Sequence, residues 1–216
     1  MTGLKVLNVS HNFIKSIPKN TFPKLYELHT IDLSHNHLEN IFNNVFQVLF
    51  SLRNLNLSYN HLETIKSSVF GALPTLLNLD LSNNRLKEIS RGALTRMSGV
   101  RFVNLENNQL EKLFQIPISL SELNLANNQL TNIPSSAETW PTMNSLLKLD
   151  LSHNSIGDTL QKGSFAGLLT LQILNLNWNG ITKSPWESLS DLNSLQYLHL
   201  EVSIFNKIRL NLKYLF

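Results

Sequence analysis

Apolar residues recur along this chain in one frame, L-x-x-L-x-L-x-x-N, with Leu, Ile or Val at the three apolar places. Leu52, Leu55 and Leu57 followed by Asn60 give the plainest copy. Other copies begin at Leu4, Leu28, Leu76, Val100, Leu120, Leu146 and Leu171, which makes eight, and a partial ninth opens at Leu195. The second and third apolar places alternate with polar residues, the period-2 mark of a strand with one face inward. Each copy therefore predicts one short strand. No such strand buries its leucines alone. Copies must stack in parallel, about 4.8 Å apart, so that the stack buries them together. The predicted fold class is an α/β, mostly β, solenoid: a curved parallel sheet inside, short irregular or helical returns outside.

Spacing refines the picture. Starts fall 24 residues apart from Leu4 to Val100, then 20, 26, 25 and again 24. The odd lengths are expected on the outer, convex side, with the strands kept in register. Asn12, Asn36, Asn60, Asn84, Asn108, Asn128, Asn154 and Asn179 come where the chain turns away from the strand. An amide side chain donates and accepts, so each can pair with backbone groups of its own turn and the next. A second apolar column, Phe22, Phe46, Phe70, Leu94, Phe165 and Leu189, predicts a spine packed on the far side. Pro18 and Pro134 begin returns, where no ladder N–H is needed.

The ninth copy fails after Leu200, because Ser203 stands where Asn belongs. The repeat domain is accordingly residues 1–202 and the atypical tail 203–216. The tail fits two readings, a natural end or a gene-model artefact in which a longer protein continues.

The frame resembles that of the leucine-rich repeat family over almost the whole chain. Leu149–Asn154 reads L-D-L-S-H-N, and Leu62, Ile65 and Phe70 carry L-x-x-I-x-x-x-x-F. Both are similar to the extracellular 24-residue class, and among these to insect-type adhesion and receptor ectodomains such as chaoptin, connectin and the Toll receptors. That resemblance implies a horseshoe, no enzymatic activity, no cofactor, and cell-surface adhesion or ligand binding. The chain departs from those relatives in showing no cysteine-rich cap, no apolar signal core after Met1 and no run of about 20 apolar residues. The alternative is a cytosolic repeat scaffold or regulatory subunit. The end strands are expected to lack polar cover, which predicts self-association through them.

Composition narrows the chemistry. The 216 residues are 42% hydrophobic, enough for one domain-sized core, and 15% charged. The net charge is +3, but Lys and Arg form no dense run, so nucleic acid or an anionic membrane is not implied. With no cysteine there is no disulfide, thiolate metal site or cysteine nucleophile.

Outward strand places should line the concave face, where repeat proteins usually bind. Most carry small polar residues, including Ser34, Ser58, Ser82 and Ser152, expected to be solvated fillers. The C-terminal units differ: Ile173 and Tyr197 share one column and Trp178 and Val202 the flanking one. Ile173, Trp178 and Tyr197 are the candidate partner-binding residues, unless they pack beneath a following unit. Asp32, Ser34 and His35, echoed by Asp150, Ser152 and His153, mimic a catalytic triad. One strand cannot easily align those three side chains as nucleophile, base and orienter, so no catalytic role is assigned. His11 with His35, and His37 with His61, occupy equivalent places in adjacent units, within reach of a shared metal, but most histidines so placed are plain surface residues, so no metal is assigned. Asn8-Val9-Ser10 and Asn56-Leu57-Ser58 are glycosylation sequons, usable only on secretion.

Overall fold

The computed structural model describes residues 3–134, 140–141 and 143–203. The strands of the first four units are β1 (Val6–Asn8), β2 (Ser16–Ile17), β3 (Thr30–Asp32), β4 (Asn40–Ile41), β5 (Asn54–Asn56), β6 (Thr64–Ile65), β7 (Asn78–Asp80) and β8 (Glu88–Ile89). Those of the later units are β9 (Phe102–Asn104), β10 (Glu122–Asn124), β11 (Lys148–Asp150), β12 (Ile173–Asn175) and β13 (Tyr197–His199). One nine-stranded parallel sheet runs β1-β3-β5-β7-β9-β10-β11-β12-β13, one strand per repeat. The two-residue strands pair separately, β2 with β4 and β6 with β8.

Register follows the repeat without a slip. Val6 lies opposite Thr30, and Thr30 opposite Asn54. The short unit still sets Phe102 opposite Glu122, and the long one sets Glu122 opposite Lys148. The length differences are therefore absorbed in the returns, as expected. Those returns are turns and extended segments. Among the described residues the only helix is one 3-10 turn, Gly157–Thr159, so the helical part of the expectation is not realised. Return segments interrupted by Pro18, Pro23 or Pro74, or turned by Gly71 and Gly92 at positive φ, are too broken to nucleate a helix.

The first leucine of each inner unit is fully buried: Leu28, Leu52, Leu76, Leu120, Leu146 and Leu171 all have 0% exposure. Each such side chain contributes roughly 1.5–3 kcal/mol of burial. The spine forms as stacked rings, Phe22 on Phe46 at 5.6 Å and Phe46 on Phe70 at 6.3 Å between centroids. Trp140, not foreseen as part of it, is also buried, and its Nε1 donates to the Ser164 carbonyl at 2.9 Å. The longer unit thus brings a larger side chain into the core. Gly99 is a forced choice, because a Cβ there would meet the Pro74 carbonyl oxygen at 2.4 Å. In the end units Leu4, Leu7 and Val9, and Leu195, Leu198 and Leu200, are only half-buried. The tail from residue 204 onward, with the reading of it given above, lies outside the described residues.

Candidate functional site

Two polar columns hold the edge of the sheet in place. The asparagine column binds backward along the stack. Asn60 Nδ2 donates to the Leu57 and Ser58 carbonyls of its own turn and to the Leu33 carbonyl of the preceding unit. Its Oδ1 accepts the Leu38 N–H at 3.0 Å. Asn36, Asn84, Asn108, Asn128, Asn154 and Asn179 repeat this set. Asn12, in the first unit, is exposed and bonds the Val9 and Ser10 carbonyls of its own turn. Ser203, in the ninth place, buries a hydroxyl that has no hydrogen-bond partner among the described residues.

The second column is Asn8, Asp32, Asn56, Asp80, Asn104, Asn124, Asp150 and Asn175. Each Oδ1 accepts the backbone N–H two residues on, at 2.9–3.1 Å, closing an Asx turn at the strand end. This turn corrects one expectation. Ser34, Ser58, Ser82 and Ser152 are buried rather than solvated, because the turn folds them back under the sheet edge. The next residue of each unit is then forced left-handed: His11, His35, Tyr59, Asn83, Asn107, Asn127, His153, Trp178 and Val202 all have φ between 51° and 56°. Sequence reading missed this. The signal was present in the Asn and His frequent at that place, since both tolerate the conformation better than most residues.

The candidate binding residues separate in space. Ile173 and Tyr197 pair in register on β12 and β13, the first half-buried and the second 58% exposed. Trp178 sits in the left-handed column at the rim, exposed, its ring stacked on His153 at 5.4 Å. A trough crosses the sheet face from β3 to β11, floored by Asp32, Asn56, Asp80, Asn104 and Asp150, with the exposed ring of Phe102 in it.

The triad-like sets make no Ser–His contact. Asp150 Oδ1 accepts both the Ser152 N–H and its hydroxyl, and Asp32 Oδ1 accepts the Ser34 N–H, so these pairs are turn caps. His35 is turned to the rim, stacked between His11 and Tyr59 at 4.2 Å on each side. His37 and His61 are likewise brought together, with ring centroids 5.3 Å apart. Near-parallel rings do not converge their in-plane nitrogens on one ion. Among the described residues no three His, Cys, Asp or Glu gather as a metal site. Of the sequon asparagines, Asn8 is exposed on the first strand and Asn56 is half-buried within the trough. On the return side, Asp158 accepts from the Thr182 hydroxyl and from the Thr182 and Lys183 N–H groups. Led by the Thr182 hydroxyl, these bonds hold its carboxyl below the ordinary value. No described helix is long and apolar enough to cross a membrane.

Comparisons with known proteins agree with this geometry. The Leucine rich repeat family model matches residues 2–62, 50–110 and 144–202, and a second model of that description matches 119–140. Tsukushi of Rattus norvegicus is 40% identical over 84 residues, 38% of this chain and 23% of that protein. Keratocan of Mus musculus is 37% identical over 71 residues, 32% of this chain and 20% of that protein. Lumican of Homo sapiens is 33% identical over 92 residues, 43% of this chain and 25% of that protein. The matched segments thus span about a quarter or less of those relatives. Among solved structures, the APL1 leucine-rich repeat domain superposes with a TM-score of 0.74 at 27% identity, over 91% of this chain and 49% of that one. YopM from Yersinia enterocolitica superposes with a TM-score of 0.65 at 25% identity, over 93% of this chain and 38% of that one. The repeat frame, the register of the sheet, the asparagine ladder and these matches together make the chain a member of the leucine-rich repeat family.

Proposed function

We propose that this chain is a non-enzymatic protein-binding module of an extracellular protein, part of a cell-surface adhesion or receptor ectodomain. The observation that carries this is the open sheet face. Its inner strands are paired on both sides within the stack, while Tyr197 and Phe102 stand exposed on it. Exposed aromatic side chains over a rigid floor are the usual anchors of a protein interface. The extracellular reading is supported by Tsukushi, keratocan and lumican, which are secreted or matrix proteins, and nothing among them favours the cytosolic scaffold.

Ile173 and Tyr197 are the anchors we assign to the partner, with Trp178 contacting it at the rim. An anchoring aromatic often contributes over about 2 kcal/mol. Tyr197→Ala should therefore cut partner affinity at least about 30-fold with the fold intact. Surface binding of the secreted chain to cells that display the partner measures it. Binding by Tyr197→Ala and by Trp178→Asn as tight as that of the unaltered chain would remove Tyr197 as an anchor and Trp178 as a rim contact.

Secretion itself is tested by glycosidase treatment. We assign the glycan to Asn8 and leave Asn56 bare, because a sugar there would fill the trough. The secreted chain should lose one glycan in Asn8→Gln and none in Asn56→Gln; a shift only in the second would reverse the assignment. The half-buried leucines of the two end units make end-to-end self-association of this 216-residue chain a second expected contact. Light scattering after size exclusion reads it, and a concentration-independent monomer would rule it out.

A further inference from the structure

Three units differ from their neighbours in a way the fold does not need. The Asx turn at the end of each strand requires one oxygen acceptor. Asn8, Asn56, Asn104, Asn124 and Asn175 supply it with a neutral amide. Asp32, Asp80 and Asp150 make the same bond at 2.9 Å and add a negative charge. The charge is thus surplus to the turn.

Register puts these charges on the open sheet face. The trough is lined by Asp32, Asp80, Glu122 and Asp150 against one cation, Lys148, which already lies 4.0 Å from Glu122. Among the described residues none of the three aspartates has an ion pair. A chain of net charge +3 therefore presents a negative floor. The basic residues on the flanking column are Lys5, His29, Arg53 and Arg101, and Arg101 already donates to the Ser119 carbonyl at 2.7 Å. Like charges lining one face repel each other mildly in the free chain, and a cationic partner removes that cost.

Spacing narrows the partner. β3 and β7 are two strand steps apart, so Asp32 and Asp80 stand about 10 Å apart along the trough. Asp80 and Asp150 are three steps apart, about 14 Å. Side chains of an extended peptide alternate sides at about 3.3 Å per residue, so those four apart share a side about 13 Å apart, near the second interval, and those two apart about 7 Å, from which a long Lys or Arg side chain reaches across the first. Phe102 on β9 lies between the second and third aspartates and is 44% exposed, a seat for an apolar side chain. Thr30, Asn54 and Asn78 carry an amide ladder beside it, Asn54 Nδ2 donating to Thr30 Oγ1 at 3.1 Å and Asn78 Nδ2 to Asn54 Oδ1. Those side chains are held in place before anything binds.

The geometry points to an extended basic segment of a partner protein as the occupant of this trough: Lys or Arg on Asp32, Asp80 and Asp150, and an apolar side chain on Phe102. This rests on the reading of the open face as a protein-binding surface. The probe is a synthetic twelve-residue peptide with Arg at alternate positions, a central one of them replaced by Leu, followed by fluorescence anisotropy in low and high salt. Its controls are the same peptide with Glu for Arg and an anionic heparin oligosaccharide.

Asp32→Asn and Asp80→Asn remove only charge, because Asn makes the same turn in five other units, whereas Asp150→Asn also removes the acceptor of the Asn175 Nδ2 bond at 3.0 Å. Each should weaken the basic peptide about 3- to 10-fold, and the triple variant at least about 30-fold, with the melting temperature unchanged in Asp32→Asn and Asp80→Asn. Salt should weaken the wild type steeply and the triple variant little. No binding of the basic peptide, equal binding by the triple variant, or preference for the acidic peptide or heparin overturns the inference. If the triple variant still binds the cellular partner while Tyr197→Ala does not, the basic segment is wrong and the protein-binding reading stands. If neither change affects the partner, that reading falls too.

Discussion

Asn60 and Leu38 lie 22 positions apart in the chain and 3.0 Å apart in space, the Asn60 Oδ1 accepting the Leu38 N–H. The bond joins the turn of one repeat to the return of the repeat before it. Because every inner asparagine repeats it, the stack is stitched in one direction, and each unit depends on the next for the satisfaction of its own buried N–H.

Removing that side chain leaves a buried donor and several carbonyls without partners. Asn60→Ala and Asn84→Ala should each cost roughly 1–3 kcal/mol. Asn12→Ala should cost under about 1 kcal/mol, since Asn12 is exposed and binds only its own turn. Denaturant midpoints of the three variants decide it, and equal losses would mean that the inter-unit bond contributes nothing.

The spine is tested by cavities. Phe46→Ala should cost about 3–5 kcal/mol. Trp140→Ala should fall in the same range, because it adds an unpaired Ser164 carbonyl to a large void. A loss below about 1 kcal/mol at either site, by equilibrium unfolding, would show that the site collapses or was never packed.

The left-handed column carries two poorly suited residues, Trp178 and the β-branched Val202, both with φ of 56°. Asn occupies the same place at Asn83, Asn107 and Asn127. Val202→Asn should therefore stabilise by about 1 kcal/mol, and Asn107→Val should destabilise by a similar amount. The thermal midpoints should move in opposite directions. Movement the same way would mean that local contacts outweigh backbone strain.

Asp158 sets an acid-side dependence. Its carboxyl is held below the ordinary value chiefly by the Thr182 hydroxyl, then by the Lys183 and Thr182 N–H groups. A folded value below the unfolded one means that its contribution is fully present above the unfolded value, near pH 4, and fades as the pH falls through the folded value. Asp158→Asn should therefore flatten the stability profile below about pH 4 and leave its shape above pH 5 unchanged. An identical acid limb in both proteins would contradict the assignment.

The strands, their register and the two buried columns were legible because each follows from a strict period. Leu55 and Leu57 announce a strand whatever surrounds them, and Asn60 announces the turn. What was not legible came from geometry between periods. The burial of Ser58 depends on a turn closed by Asn56, and a polar residue beside a strand reads as exposed until that bond is seen. Trp140 entered the core because the 26-residue unit has a longer return, and length alone does not say which side chain turns inward. The candidate patch was expected on the concave face in two adjoining columns, yet the left-handed turn carries Trp178 to the rim while Ile173 and Tyr197 share the sheet.

The central claim is protein recognition through the open sheet face, and a bulky scan of the two sides tests it directly. Binding of the secreted chain to partner-bearing cells would be compared for Ile173→Arg and Asn78→Arg on the sheet face and for Ala72→Arg and Arg96→Glu on the exposed returns. The account predicts that both sheet-face variants lose binding by at least about tenfold, while both return variants bind as the unaltered chain does. Binding retained by the sheet-face variants and lost in the return variants would contradict it.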